Sequence, residues 1–95
     1  MTPEGKIKKL VKDWLNSIEA YYFMPVQAGY GARTLDFLVC YKGRFIAIET
    51  KRPGGKMTKF QQNTAHSIAE SGGRVLLVRN EEDLGIAMAI LEAYE

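Results

Sequence analysis

Asp36, Glu49 and Lys51 are the residues of this chain whose types and spacing carry chemistry. Leu35 to Tyr41 and Arg44 to Lys51 are rich in aromatic and β-branched residues and flank Lys42-Gly43, so they read as the strands of a β-hairpin. A two-residue loop at Lys42-Gly43 opposes residues whose numbers sum to 85, and Asp36 then faces Glu49. Directly opposed side chains share a face, with Cβ atoms about 4.5–5.5 Å apart. The two-residue period of a strand brings Lys51 to the same face as Glu49. Opposed carboxylates repel, so something should offset the arrangement. A hard divalent cation does so, because Mg²⁺ takes oxygen ligands from one or two carboxylates and keeps several waters. A lysine one strand-step along can orient or help deprotonate a bound water and oppose charge building on a phosphate, which makes the trio a coherent hydrolytic set. The same residues also suit a Glu49/Lys51 surface ion pair with Asp36 at a frayed strand start, and spacing alone does not choose. Lys-Gly is not the favoured type I′ pair either, and a longer loop would shift the register.

The elements that must position the trio are legible around it. Thr2-Pro3-Glu4 starts a helix with a capping hydroxyl, proline at the first helical position and an acid at the positive dipole end. Ile7, Leu10, Val11, Trp14, Leu15 and Ile18 follow at helical spacing, with Lys6, Lys8, Lys9 and Lys12 mostly off that stripe and Glu4 close to its buried side. Tyr21 to Val26 reads as a strand whose Pro25 marks an edge or an end. Gln27 to Thr34 and Arg52 to Met57 are glycine-bearing loops. Thr58 caps a second helix that runs to about Ser71 and stops at Gly72-Gly73. Arg74 to Arg79 is a short apolar strand, and Glu81, Glu82 and Asp83 open a last helix that buries Leu84, Met88 and Leu91, with Ala87, Ile90 and Tyr94 alongside. The order is α-β-β-β-α-β-α, an α/β fold with a mixed sheet flanked by helices; parallel third and fourth strands would make a right-handed βαβ crossover.

Ninety-five residues fit one domain, spanning 1–95, with 46% hydrophobic and 25% charged residues as in ordinary globular proteins. A core this small makes self-association a reasonable expectation. The single cysteine, Cys40, excludes an internal disulfide framework, suits a reducing cytoplasm, and reads as packing within an apolar run. No apolar stretch approaches the ~20 residues of a membrane span, and the lysine-rich N-terminal segment does not read as a signal peptide. Net charge is +2 but uneven: residues 1–60 hold eleven Lys and Arg against five acids, and residues 61–95 hold two against six. The basic part could meet a polyanion, although lysine-rich faces are usually just solvated. Tyr21, Tyr22, Phe23 and Tyr30 could stack on bases, although strand aromatics are more often core. His66 has no metal-ligand spacing and reads as a helix-surface residue.

Asp36 followed by Glu49-Thr50-Lys51 after a hairpin resembles the PD-(D/E)xK nuclease superfamily, and more narrowly the virus-type replication-repair nuclease (VRR-NUC) family. The likeness extends through Gly43, Arg52-Pro53-Gly54, Lys56, Thr58-Lys59-Phe60-Gln61, Gly72-Gly73 and the strand ending near Val78, with Glu4 matching the acid that opens the family's pattern. It implies a restriction-endonuclease-like sheet. It also implies that Asp36, Glu49 and the backbone carbonyl of Thr50 hold Mg²⁺ or Mn²⁺, that Lys51 positions or activates the attacking water, and that Gln61 reaches into the site. Glu4 would act from an outer shell. Thr58 with Gln61 is equally a capping box. Where the family has Gly-x-Pro-Asp, this chain has Arg33-Thr34-Leu35-Asp36, a change in the strand's approach that removes no ligand.

The function implied is a metal-dependent DNA endonuclease that hydrolyses phosphodiester bonds. Arg33, Arg52, Lys56 and Lys59 flank the site as phosphate contacts. Stand-alone chains of this kind resemble junction-resolving enzymes, which implies a homodimer acting on branched DNA such as Holliday junctions, with no membrane partner. The rival readings are a nucleic-acid-binding module without catalysis and a structural subunit of a larger repair complex.

Overall fold

A computed structural model describes residues 1–26 and 34–95. Helix α1 spans Pro3–Ser17, and the Thr2 hydroxyl accepts from the Gly5 amide, satisfying one of the donors a helix start leaves open. Strands β1 (Tyr21–Phe23), β2 (Phe37–Tyr41) and β3 (Arg44–Thr50) follow, then α2 (Lys59–Glu70), β4 (Arg74–Val78) and α3 (Glu81–Glu92). The element order is the expected one, and the strands form a mixed sheet in the order β1-β2-β3-β4. β1–β2 and β2–β3 are antiparallel, and β3–β4 are parallel with α2 as their crossover. The first strand is shorter than expected and ends at Phe23, because Pro25 cannot donate to the ladder. It lies at a sheet edge.

The β2–β3 register places Phe37 opposite Ile48 and Tyr41 opposite Arg44, so paired numbers sum to 85 through a two-residue turn. Lys42 (φ 52°) and Gly43 (φ 76°) both take the left-handed conformation. That is the signature of a type I′ turn, whose twist matches the flanking strands. Glycine adopts it at no steric cost; Lys42 adopts it against its Cβ.

The two faces of the sheet are unequally covered. Leu35, Phe37, Val39 and Tyr41 from the β2 side, with Ile46, Ile48, Leu76 and Val78, are buried with Ile7, Val11, Trp14 and Leu15 of α1 and Leu84, Ala87 and Leu91 of α3. On the other face α2 packs against β4 and contributes no fully buried residue. Cys40 is therefore exposed rather than packed: it belongs to the half of that face beyond the reach of α2. Met88 also departs from expectation, at 38% exposed, because the core side of α3 is taken by Leu84, Ala87 and Leu91. Leu10 is 37% exposed at the margin of the α1 stripe. His66 is exposed and paired with Glu70 one helical turn away. No helix of the described residues is long and apolar enough to cross a membrane.

Replacing Lys42 by Asn, which tolerates φ > 0 and completes the preferred Asn-Gly pair, should raise unfolding stability by roughly 0.5–1 kcal/mol. Gly43→Ala should lower it by about 1 kcal/mol. Urea denaturation midpoints at constant m-value measure both effects.

Candidate active site

The ladder between β2 and β3 ends at Phe37 and Ile48, and the catalytic candidates sit just past that end. Asp36 lies on a bend one residue before β2, so its opposition to Glu49 is made by side chains rather than by a ladder pair. The Asp36 backbone N–H donates to Glu49 Oε1 at 3.1 Å. In return, Asp36 Oδ2 accepts from the Thr50 N–H at 3.0 Å and from Thr50 Oγ1 at 2.6 Å. Each carboxylate thus takes over a backbone donor at the end of the hairpin, and the two acids are fixed relative to each other. In an extended strand the N–H and C=O of one residue face the same neighbour. The Thr50 carbonyl therefore points to the Asp36 side.

Three cationic or amide groups close around the carboxylates. Lys51 Nζ is 3.7 Å from Glu49 Oε2 and Lys8 Nζ is 3.6 Å from Asp36 Oδ1. Lys51 is held by its own backbone, whose N–H donates to the Val78 carbonyl of β4 at 3.1 Å. Gln61 caps the helix and also reaches into the site, where its partner is Glu49 rather than Lys51. Its Oε1 accepts from the Thr58 N–H at 2.9 Å, completing the capping box, while its Nε2 donates to Glu49 Oε2 at 2.7 Å. Turning the amide over would put its oxygen against the carboxylate, so the two bonds fix its orientation.

Glu49 is 2% exposed, and its pKa is raised from 4.5 to about 7. Burial is the main cause; the Asp36 charge adds to it and Glu4 contributes a smaller push, while the Asp36 N–H and Lys51 pull the other way. Glu4 is thus near enough for its charge to act on Glu49. The repulsion anticipated for opposed acids is present in this perturbation, and it is what a bound cation would relieve.

The donor set suits a hard cation: two carboxylates and a carbonyl, all oxygen. Among the described residues no group of three or more His, Cys, Asp or Glu side chains is placed to hold a metal. A fit to Mg²⁺ accordingly rests on the two-carboxylate coordination that this ion accepts, with waters completing its shell. No buried side-chain polar atom of the described residues lacks a partner, because lysine and glutamine take up the carboxylate oxygens.

Arg52, Lys56 and Lys59 are exposed on the loop after β3 and at the start of α2, the segments that lead out of Lys51 and into Gln61. Arg33 lies outside the described residues. Lys8 was not singled out in the sequence, yet a signal was there: Glu4 and Lys8 are four apart on α1, so a helix that turns Glu4 toward the site turns Lys8 there as well. A cavity of about 730 Å³ opens at the opposite, hairpin end of the sheet, lined by residues such as Arg44, Phe45, Ile68 and Arg74. It holds none of the carboxylates.

Two outcomes follow for the metal-free chain. The folded state binds more protons than the unfolded one between pH 4.5 and about 7, so stability should fall as pH rises through that window. The loss should be on the order of 3 kcal/mol, and Glu49→Gln should remove this component of the slope in thermal melts. Gln61→Glu preserves the capping acceptor but sets a second carboxylate on Glu49, so it should destabilise by roughly 1–3 kcal/mol near pH 8. A residue that only capped the helix would leave stability unchanged on that substitution. Compared with known proteins, the chain matches no protein-family model, no curated protein and no solved structure, so its reading rests on the geometry of this site.

Proposed function

We propose that the chain is an Mg²⁺- or Mn²⁺-dependent DNA endonuclease of the VRR-NUC type within the PD-(D/E)xK superfamily, acting as a homodimer on branched DNA such as a Holliday junction. The observation that carries this reading is the convergence of Asp36, Glu49 and Lys51 at one end of the β2–β3 ladder. A binding module has no need of two acids in mutual repulsion within a basic region, one of them 2% exposed.

Asp36, Glu49 and the Thr50 carbonyl would hold the cation. When bound, it supplies a water of lowered pKa and Lewis-acid stabilisation of a phosphate oxygen. Lys51 presents a cationic Nζ beside Glu49, placed to hold the attacking water in line and to oppose the negative charge developing on the phosphate. Gln61 fixes Glu49 Oε2 and limits its rotation, so the ligand geometry is set before substrate arrives. Lys8 neutralises part of the carboxylate charge from the α1 side, which lowers the barrier to a polyanion approaching the site. Arg52, Lys56 and Lys59 contact the backbone beyond the scissile phosphate, positioning it without reading sequence. A dimer carrying two such sites would cut two strands symmetrically.

Cleavage of a labelled four-way junction should require Mg²⁺ or Mn²⁺ and cease on chelation. Lys51→Ala should reduce the cleavage rate at least about 100-fold, as removal of a transition-state charge does, with junction affinity changed less than about threefold. Binding by the wild-type chain without cleavage under either ion would sink the catalytic reading in favour of a non-catalytic module. A stable heterologous partner in pull-down, with no cleavage by the isolated chain, would favour a structural subunit.

A further inference from the structure

The half of the sheet face beyond α2 carries a feature the catalytic chemistry does not use. Tyr21 and Phe23 of β1 are 73% and 56% exposed, whereas Tyr22 between them points to the other side and packs on Phe37 with ring centroids 5.9 Å apart. Tyr21 pairs with Cys40 and Phe23 with Leu38, and Leu38 in turn pairs with Ala47, so the two rings share the face from which Glu49 projects. Phe23 is one strand over and one side-chain step along from Asp36, a Cα separation of roughly 8 Å from the strand spacings. Exposed aromatic rings on an edge strand are unfavourable in water and prone to association, so their presence in that position asks for an occupant.

The surroundings favour a polyanion with flat apolar rings. At the catalytic end the strip meets Lys51, which shares the face of Glu49 and brings positive charge to that end. Apart from Asp36 and Glu49, the residues of β1, β2 and β3 on this face carry no acid. Alternate strand residues are about 6.7 Å apart along the chain, twice the 3.4 Å repeat of stacked bases in one strand. Tyr21 and Phe23 can therefore take two bases of an extended strand that continues into the catalytic end. Base-paired DNA presents no free ring face along its side, so this surface distinguishes unpaired from paired nucleotides.

We propose that Tyr21 and Phe23 form a stacking rail for unpaired bases of single-stranded DNA, so that among branched DNAs the preferred substrate is one with unpaired bases next to the scissile phosphate rather than a fully paired four-way junction. This rests on the nuclease reading for the location of the cut, while the binding itself is independent of cleavage.

The test is fluorescence anisotropy of the full chain with a labelled oligothymidylate of about 12 nucleotides, within the usual range of single-strand sites, and with a duplex of equal length, both in Ca²⁺. Tyr21→Ala and Phe23→Ala should each weaken oligothymidylate binding about 5- to 50-fold, and duplex binding less than about twofold. Phe23→Trp should restore affinity, whereas Phe23→Leu, which keeps an apolar strand residue and the fold, should not. Sedimentation of the same variants supplies a second readout. Equal losses on single strand and duplex, wild-type affinity in Phe23→Leu, or no oligothymidylate binding by the wild-type chain would each overturn the rail. So would conversion of a dimer to a monomer by Phe23→Leu with binding unchanged, which would make this face an interface between copies. Aromatic-dependent binding without cleavage in Mg²⁺ or Mn²⁺ would overturn the catalytic reading and leave the rail standing. Normal cleavage with unchanged affinity in the alanine variants would do the reverse.

Discussion

The exchange of hydrogen bonds between Asp36 and Glu49 sets the geometry of everything around it. Past Phe37 the ladder stops, and the Thr50 amide, which a continued antiparallel strand would have met with a carbonyl, is met by Asp36 Oδ2. The Asp36 amide is met by Glu49 Oε1. Charge-assisted bonds of this kind are roughly twice as strong as neutral ones, and they keep two acids together that would otherwise separate. From that anchor the constraint spreads through the fold: Lys8 of α1 approaches one acid, while Lys51 and Gln61 approach the other. Four elements meet at one strand end because two carboxylates stand in for missing backbone partners.

The parts of this arrangement that follow from local rules were legible in the residues. The hairpin register depends on turn length, and Lys42-Gly43 delimits it even though lysine is a poor type I′ residue, because the long strand pairing on either side outweighs the strain at one Cβ. The helix starts at Thr2, Thr58 and Asn80 follow from side chains that satisfy open amides, although at the last of these the acids Glu81, Glu82 and Asp83 were the more visible signal. Cys40 reads as packing and strand aromatics such as Tyr21 and Phe23 as more often core, yet all three are exposed, because strand composition does not say what covers each side. Coverage depends on where α2 lies across the sheet, a tertiary property with no two- or four-residue period. Gln61 was open between cap and site for a related reason: its two ends do different work, and a sequence pattern describes only the local one.

The position of α2 has an unusual basis. With no fully buried residue of its own, the helix draws less on hydrophobic burial than α1 or α3 do. At its C-terminal end the chain passes close under Phe45: a Cβ on Gly73 would lie 2.7 Å from the Ile68 side chain and 3.0 Å from the Phe45 ring. The absence of a side chain there lets the helix end settle against the sheet. At its N-terminal end the capping box and the bond from Gln61 to Glu49 tie the helix to the site. Segments with little buried apolar area have low local opening free energies, so the polar contacts of Gln61 matter to this end of α2.

That dependence couples the charge state of the site to the helix. The Gln61 amide donates most strongly to an ionised Glu49, and burial together with Asp36 works against ionisation. A cation placed between the acids would favour the ionised form, so it would strengthen the bond that holds the start of α2. Lys56 and Lys59 are carried by that same segment and the loop before it. Under the proposed function, occupancy at the carboxylates and the placement of these lysines would therefore be linked through one glutamine, whose amide belongs at once to a helix cap and to the acid it restrains.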